Sequence, residues 1–154
     1  LSPRLHGDWL RRYGLLGHYI PIDVAQGDLR EMLLVLPRLG FVGLNVTLPH
    51  KEKVLSLADI VTDRAALIGA ANTLIFRKDG KIHADNTDVT GFLASLRQSA
   101  PGWNAADGPA AVLGAGGAAR AVVAALIEAG RPRCAWPTAP ATGPSRCGPI
   151  WVPV

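Results

Sequence analysis

Aromatic residues make up only 6% of the chain, and cysteine is nearly absent, with Cys134 and Cys147 the sole pair. Both lie in one unusual C-terminal stretch, so neither a disulfide framework nor a zinc module is supported. His6, His18, His50 and His83 show no metal-ligand spacing; they are read as structural or surface residues, and no metal is expected. No run is apolar for the length of a membrane span, because 110–129 is broken by glycines, Arg120 and Glu128. A signal peptide and an initiating Met are both lacking, so the start is read as that of a fragment. Charge is sparse too, at 18% of residues, and the net +4 is misleading. Residues 131–154 carry Arg131, Arg133 and Arg146 with no acid, leaving 13 basic residues against 12 acidic ones before them. With no basic stripe interleaved with aromatics, a nucleic-acid partner is excluded. What remains is 49% apolar and sufficient for one ordinary core, so a globular, cytoplasmic protein without a membrane partner is expected.

Taken in order, Ser2-Pro3 opens a helix, with Ser2 as cap and Pro3 at the first helical position, followed by Leu5, Trp9 and Leu10 at helical spacing. His18 to Val24 is expected to be a strand. Asp28 and Glu31 have capping-box spacing before a helix with the apolar face Leu29, Met32, Leu33 and Leu36, which Gly40 ends. Phe41 to Val46 is a short apolar strand. Strand, helix and strand at these separations make a βαβ unit and argue for a parallel sheet.

At the end of that strand stands Asn45-Val46-Thr47-Leu48-Pro49-His50-Lys51. Pro49 stops the ladder and suits a first helical turn, which places Lys51 at a helix start on the edge of an α/β sheet where ligands gather. The dipole there favours anions, and a lysine so placed is suited to proton exchange. A short helix is expected over Asp63 to Ile68. A hairpin is expected about Asp79-Gly80, between strands at Asn72 to Arg77 and Lys81 to Ala84. Thr87 or Asp88 opens a helix with the apolar face Val89, Phe92, Leu93 and Leu96. Pro101 to Pro109 reads as a linker. Ala110 to Leu113 is a strand feeding Gly114-Ala115-Gly116-Gly117-Ala118, and Ala118 to Ala129 is a helix. A glycine turn between strand and helix is the setting in which such a run holds a dinucleotide pyrophosphate.

Asn-Val-Thr-x-Pro-x-Lys closely resembles the signature of shikimate dehydrogenases. Three further matches follow in that family's order: Ile68-Gly69-Ala70-Ala71-Asn72-Thr73, Asp85-Asn86-Thr87-Asp88-x-x-Gly91 and Gly114-Ala115-Gly116-Gly117-Ala118-Ala119-Arg120. The resemblance covers residues 1–130. It implies an α/β fold, with a three-layer substrate-binding domain and mainly parallel sheet over 1–100 and the start of a Rossmann-type NADP-binding domain over 101–130. It further implies NADPH-dependent, reversible reduction of 3-dehydroshikimate to shikimate on the route to aromatic amino acids, and leaves a homodimer open.

Carried over residue by residue, the resemblance makes Lys51 the proton donor to the carbonyl oxygen, with Asp88 beside it on the substrate hydroxyl. Taken singly, Lys51 is an ordinary helix lysine and Asp88 an ordinary cap; their joint placement after two separate strands argues otherwise. Ser2 matches the second serine of a carboxylate-binding Ser-x-Ser-Pro. Thr47 and Asn72 offer neutral donors and acceptors for a polyhydroxylated ring. Asn86 and Thr87 are read as shaping the loop that presents Asp88, and Asp63 matches a position near the cofactor. Gly114, Ala115, Gly116, Gly117 and Ala118 are assigned to NADP.

Beyond Gly130 the composition changes, and residues 131–154 hold six of the chain's 12 prolines. They are expected to be a non-native, disordered tail that cannot supply the next strand of a nucleotide fold. Writing Trp136 to Gly143 in GC-rich codons and moving the frame by two bases yields Ala-Asn-Arg-Thr-Arg-Asp-Arg. That contains the family's 2′-phosphate motif, Asn-Arg-Thr-x-x-Arg, so a frameshift is favoured over a Pro-rich recognition tail. The family's glutamine-bearing C-terminal segment is missing, and the chain as written is expected to be inactive. The rival readings are a non-catalytic shikimate-binding module and a quinate/shikimate dehydrogenase using NAD.

Overall fold

The structure is a computed structural model that describes residues 1–114, 116–130, 133–136 and 150–153. Two sheets organise it. The first has four strands in the order β1 (Gly43–Asn45), β3 (Thr73–Phe76), β4 (Ile82–Asp85), β2 (Ile60–Val61). β3 pairs antiparallel with both β1 and β4, and only the β2–β4 pair is parallel. The α/β class is as expected, but this sheet is mixed where a mainly parallel one was anticipated. The hairpin about Asp79-Gly80 accounts for its antiparallel centre: Gly80 takes φ +81°, and the Arg77 N–H donates to the Lys81 carbonyl across the turn.

Alternation along the central strands sets the core. Leu74, Ile82 and Ala84 are buried and meet Leu29 and Leu33 of α2 (Leu29–Val35), Val54, and Ala65 of α3 (Asp63–Ile68). Ile75, between Leu74 and Phe76, points the other way and is 47% exposed. A second cluster joins Val89 and Leu93 of α4 (Asp88–Ser99) to Ala121 and Ala125 of α5 (Gly117–Glu128) and to Ile68 and Ala70. Alanine lets α4 and α5 approach closely, and Ala70 carries that contact to the first sheet's end. Among the described residues, no helix is long and apolar enough to cross a membrane.

Several local expectations are corrected. His18 to Val24 forms no strand; Pro21 removes a donor there, and the segment is tied to the fold through the Tyr19 hydroxyl and the Val24 carbonyl instead. Leu1, not Ser2, is the cap of α1 (Ser2–Arg12), and no side chain closes it. Asp28 caps α2 by position without a side-chain bond, so the capping box does not form. Gly40 ends the following 3₁₀ turn in the left-handed conformation, as read. Lys51 precedes a helical turn rather than opening it. The 3₁₀ turn runs Lys53–Leu57, so the dipole argument for Lys51 lapses.

The second sheet corrects the reading of the C-terminal stretch. β5 (Ala110–Ala111) pairs parallel with β6 (Arg133–Trp136), and β6 pairs antiparallel with β7 (Ile150–Pro153). With α5 between them, β5 and β6 form a βαβ unit. The stretch from Arg133 to Trp136 is flanked by Pro132 and Pro137 yet holds no proline, so every residue keeps its ladder donor. The expected disorder of residues 137–149 lies outside the described residues.

Candidate active site

Three separately placed segments converge at the C-terminal end of β1. Val46 N–H donates to the Asn72 carbonyl and Ala71 N–H donates to the Lys51 carbonyl (2.7 and 2.8 Å), which ties the Thr47-to-Lys51 turn to the start of β3. Asn72 N–H in turn donates to the Asp85 carbonyl at the end of β4. The turn after β4 then delivers Asp88 into the first turn of α4, where the helix dipole favours a carboxylate.

The result is a polar cluster. Lys51 Nζ lies 2.6 Å from Asp88 Oδ2, with the two side chains 13% and 28% exposed. Asn72 Nδ2 donates to Asp88 Oδ1 (2.8 Å) and to Thr87 Oγ1 (3.0 Å), while its Oδ1 accepts from the Thr73 hydroxyl and the Thr87 N–H. Both carboxylate oxygens are thereby satisfied, one by a cation and one by a neutral amide. The pair fixes the position of the Lys51 amine, the placement a general acid needs.

Behind the cluster, Asp85 holds a second network. It accepts from the Thr62 hydroxyl that caps α3, from the Asn86 N–H, and from Arg64 (2.8, 2.7 and 3.2 Å). Burial alone would raise the Asp85 carboxyl, but Thr62, Asn86 and Arg64 outweigh it and hold it below the ordinary carboxylate range. With the folded-state value depressed, the stability Asp85 adds is present above its unfolded value of 3.8 and is lost as pH falls through the folded one. Asp85→Asn is therefore expected to lower Tm at neutral pH, with the difference from the parent shrinking as the pH drops well below 3.8. A thermal unfolding series against pH checks this; a difference that stays constant would show that charge is not what Asp85 contributes.

Beside the cluster opens a cavity of about 740 Å³. Ser2 and Thr47 both line it, together with His18, Tyr19, His50 and Thr73. Lys51, Asn72 and Asp88 do not, but Thr73 donates to Asn72 Oδ1, so the cluster begins one side chain from the cavity wall. Two polar contacts here were not anticipated from sequence. The Tyr19 hydroxyl donates to Asn45 Oδ1 (3.1 Å), and His50 Nε2 donates to the Val24 carbonyl (2.8 Å). The second agrees with a structural reading of His50.

The glycine turn abuts the same cluster. A Cβ at Gly117 would lie 3.0 Å from Ala70 Cβ and 3.3 Å from Lys51 Cβ, so this glycine lets α5 begin against the Lys51 turn. Gly114 takes φ +123° and Gly116 is extended, with no side chain capping the N–H groups of α5. That combination fits a phosphate at the helix start. Ala118 lies in the helix's first turn, and Ala115 lies outside the described residues. Asp63 is exposed at the start of α3 and, among the described residues, makes no hydrogen bond to this turn. Arg120 reaches back from α5 to Glu52 (3.3 Å), a link between the glycine helix and the Lys51 turn that no spacing in the sequence announced.

Known proteins resemble this chain in sequence and in fold. A family model described as the shikimate dehydrogenase substrate binding domain matches residues 1–74. The chain is 76% identical over 131 residues to the shikimate dehydrogenase (NADP(+)) of Cereibacter sphaeroides, covering 85% of this chain and 47% of that protein. The shikimate dehydrogenase of Aquifex aeolicus superposes with a TM-score of 0.80 at 38% identity, over 88% of this chain and 49% of that one. Shikimate 5-dehydrogenase of Thermus thermophilus, solved in complex with NADP(H) and shikimate, gives 0.78 at 42% identity over 88% and 49%. The chain thus spans about half the length of the curated relatives it matches. Residues 1–74 match the shikimate dehydrogenase substrate binding domain, and over 131 residues in all the chain is similar to shikimate dehydrogenases.

Proposed function

We propose that this chain supplies the substrate-binding half, and the first dinucleotide-binding turn, of an enzyme that reversibly reduces 3-dehydroshikimate to shikimate with NADPH. The observation that carries the reading is the 2.6 Å Lys51–Asp88 pair packed against the glycine turn. NADPH, when bound, supplies the hydride; Gly114, Ala115, Gly116, Gly117 and Ala118 would hold its pyrophosphate, with Asp63 assigned nearby.

The remaining work falls to side chains of the cleft. Lys51 donates the proton that the carbonyl oxygen acquires on reduction and takes it back in the reverse direction. Asp88 keeps the ammonium in place and accepts from the substrate hydroxyl next to the reacting carbon. Asn72, already bonded to Asp88, has an amide suited to the same hydroxyl edge of the ring. Ser2 and Thr47 present hydroxyls from the walls of one cavity, which suits the carboxylate and ring hydroxyls of shikimate. A cytoplasmic setting fits, since substrate and cofactor are charged, soluble molecules.

Calorimetric titration of the chain with shikimate and with NADP, with quinate and NAD as comparison arms, tests the reading alongside an assay of NADPH oxidation by 3-dehydroshikimate. Binding of shikimate and NADP without turnover is the expected outcome for a chain that spans about half the length of its relatives, and NADPH oxidation would overturn the expected inactivity. Shikimate binding alone favours a non-catalytic module, and binding of neither overturns the proposal.

A further inference from the structure

We infer that Asn86 is the positioning residue of the Lys51–Asp88 pair, setting through Ala70 and Ala71 where the ammonium stands against the glycine turn. The inference rests on the proposed function only in taking that pair as the reacting one.

Asn86 is 0% exposed and is the one buried polar side chain among the described residues. Its amide is used at both ends: Oδ1 accepts from the Asp88 N–H (2.9 Å) and Nδ2 donates to the Ala70 carbonyl (2.8 Å). The first bond shapes the turn that presents Asp88; the second joins that turn to a segment remote in sequence. Ala70 and Ala71 are themselves fully buried. Ala71 N–H holds the Lys51 carbonyl (2.8 Å), and Ala70 Cβ is the atom that a Cβ at Gly117 would meet at 3.0 Å. One side chain thus fixes the backbone of Asp88 directly and that of Lys51 through the Ala70–Ala71 peptide unit, and the wall it braces is the one on which α5 begins. The amide offers an acceptor at one end and a donor at the other; an ionised carboxylate would face the Ala70 carbonyl without a proton to offer.

A buried asparagine that merely satisfied the core would influence stability without acting on Lys51 in particular. Competitive trace acetylation with acetic anhydride, read by peptide mapping, separates the cases because it reports the reactivity of each lysine amine without substrate or cofactor. Exposed Lys53, Lys78 and Lys81 serve as internal references. Asn86→Ala is expected to raise the Lys51-to-Lys53 reactivity ratio about fivefold as the ammonium loses its anion. Leu93→Ala, a truncation in the same buried cluster as Ala70 that removes none of this turn's hydrogen bonds, is expected to leave the ratio within about twofold although it also destabilises the fold. In Asn86→Ser the hydroxyl can still accept from the Asp88 N–H, so the ratio should fall between parent and Asn86→Ala. A ratio in Asn86→Ala no higher than in Leu93→Ala overturns the inference. Should Asn86→Ala fail to fold, Asn86→Ser decides, and a parent-like ratio there overturns it. A failed shikimate titration would sink the proposed function while leaving this result standing, and the reverse holds equally.

Discussion

Asp88→Ala is expected to weaken shikimate binding on the order of a hundredfold and to lower Tm by roughly 6 °C, the shift that about 2 kcal/mol produces in a domain of this size. Two losses combine. Lys51, 13% exposed, would be left without the carboxylate 2.6 Å away, and removing one partner of a shielded pair costs more than the pair contributed. Asn72 Nδ2 would lose its 2.8 Å acceptor, freeing the amide to turn away from the cleft. Asp88→Asn separates charge from shape. Its amide oxygen can still accept from Lys51, so part of the stability should return. Thermal unfolding and calorimetry on both variants measure this; full shikimate affinity in Asp88→Ala would remove Asp88 from the proposed substrate site.

Gly43→Ala is expected to destabilise the fold by about 3 kcal/mol, the upper part of the range for overpacking, with a Tm drop of roughly 9 °C. A Cβ at this position would lie 2.4 Å from the Leu74 carbonyl oxygen, a backbone atom with no rotamer to yield. Gly43 sits opposite Ile75 in β1–β3 register, so relief requires the two strands to part. Asn45 pairs with Thr73 in the same ladder, and Thr47 follows two residues later, so the cleft is expected to deform as well. Equilibrium denaturation reads the cost, and a midpoint equal to the parent's would show that the strands separate there without penalty.

The contrast between these two positions shows what was legible beforehand. Asp88 was singled out from its motif, as were Lys51, Thr47 and Asn72, because each proposed role demands a particular side chain. Gly43 was absorbed into an apolar strand with no reason given for its lack of a side chain, since close backbone approach leaves no periodicity to read. The hairpin about Asp79-Gly80, the helix from Asp63 to Ile68 and the helix from Asp88 were legible because turn chemistry and apolar spacing act over a few residues. His18 to Val24 was misread for the opposite reason. Its apolar residues suit a strand, but a strand exists only where a neighbour accepts its ladder bonds. Arg133 to Trp136 shows the converse: β5 supplies a parallel edge, and a segment with an unpromising proline-rich context pairs with it.

The sequence by itself determined the types and order of the reactive groups and the turns that separate them, because these depend on covalent structure and short-range backbone preference. Only the tertiary structure decided that Lys51 and Asp88, 37 positions apart, meet within hydrogen-bond distance, and that Asn86 and Gly117 hold them there. Such a meeting is set by ladder register and by the tight contact of Gly117 on Ala70, quantities that exist only once distant segments have packed.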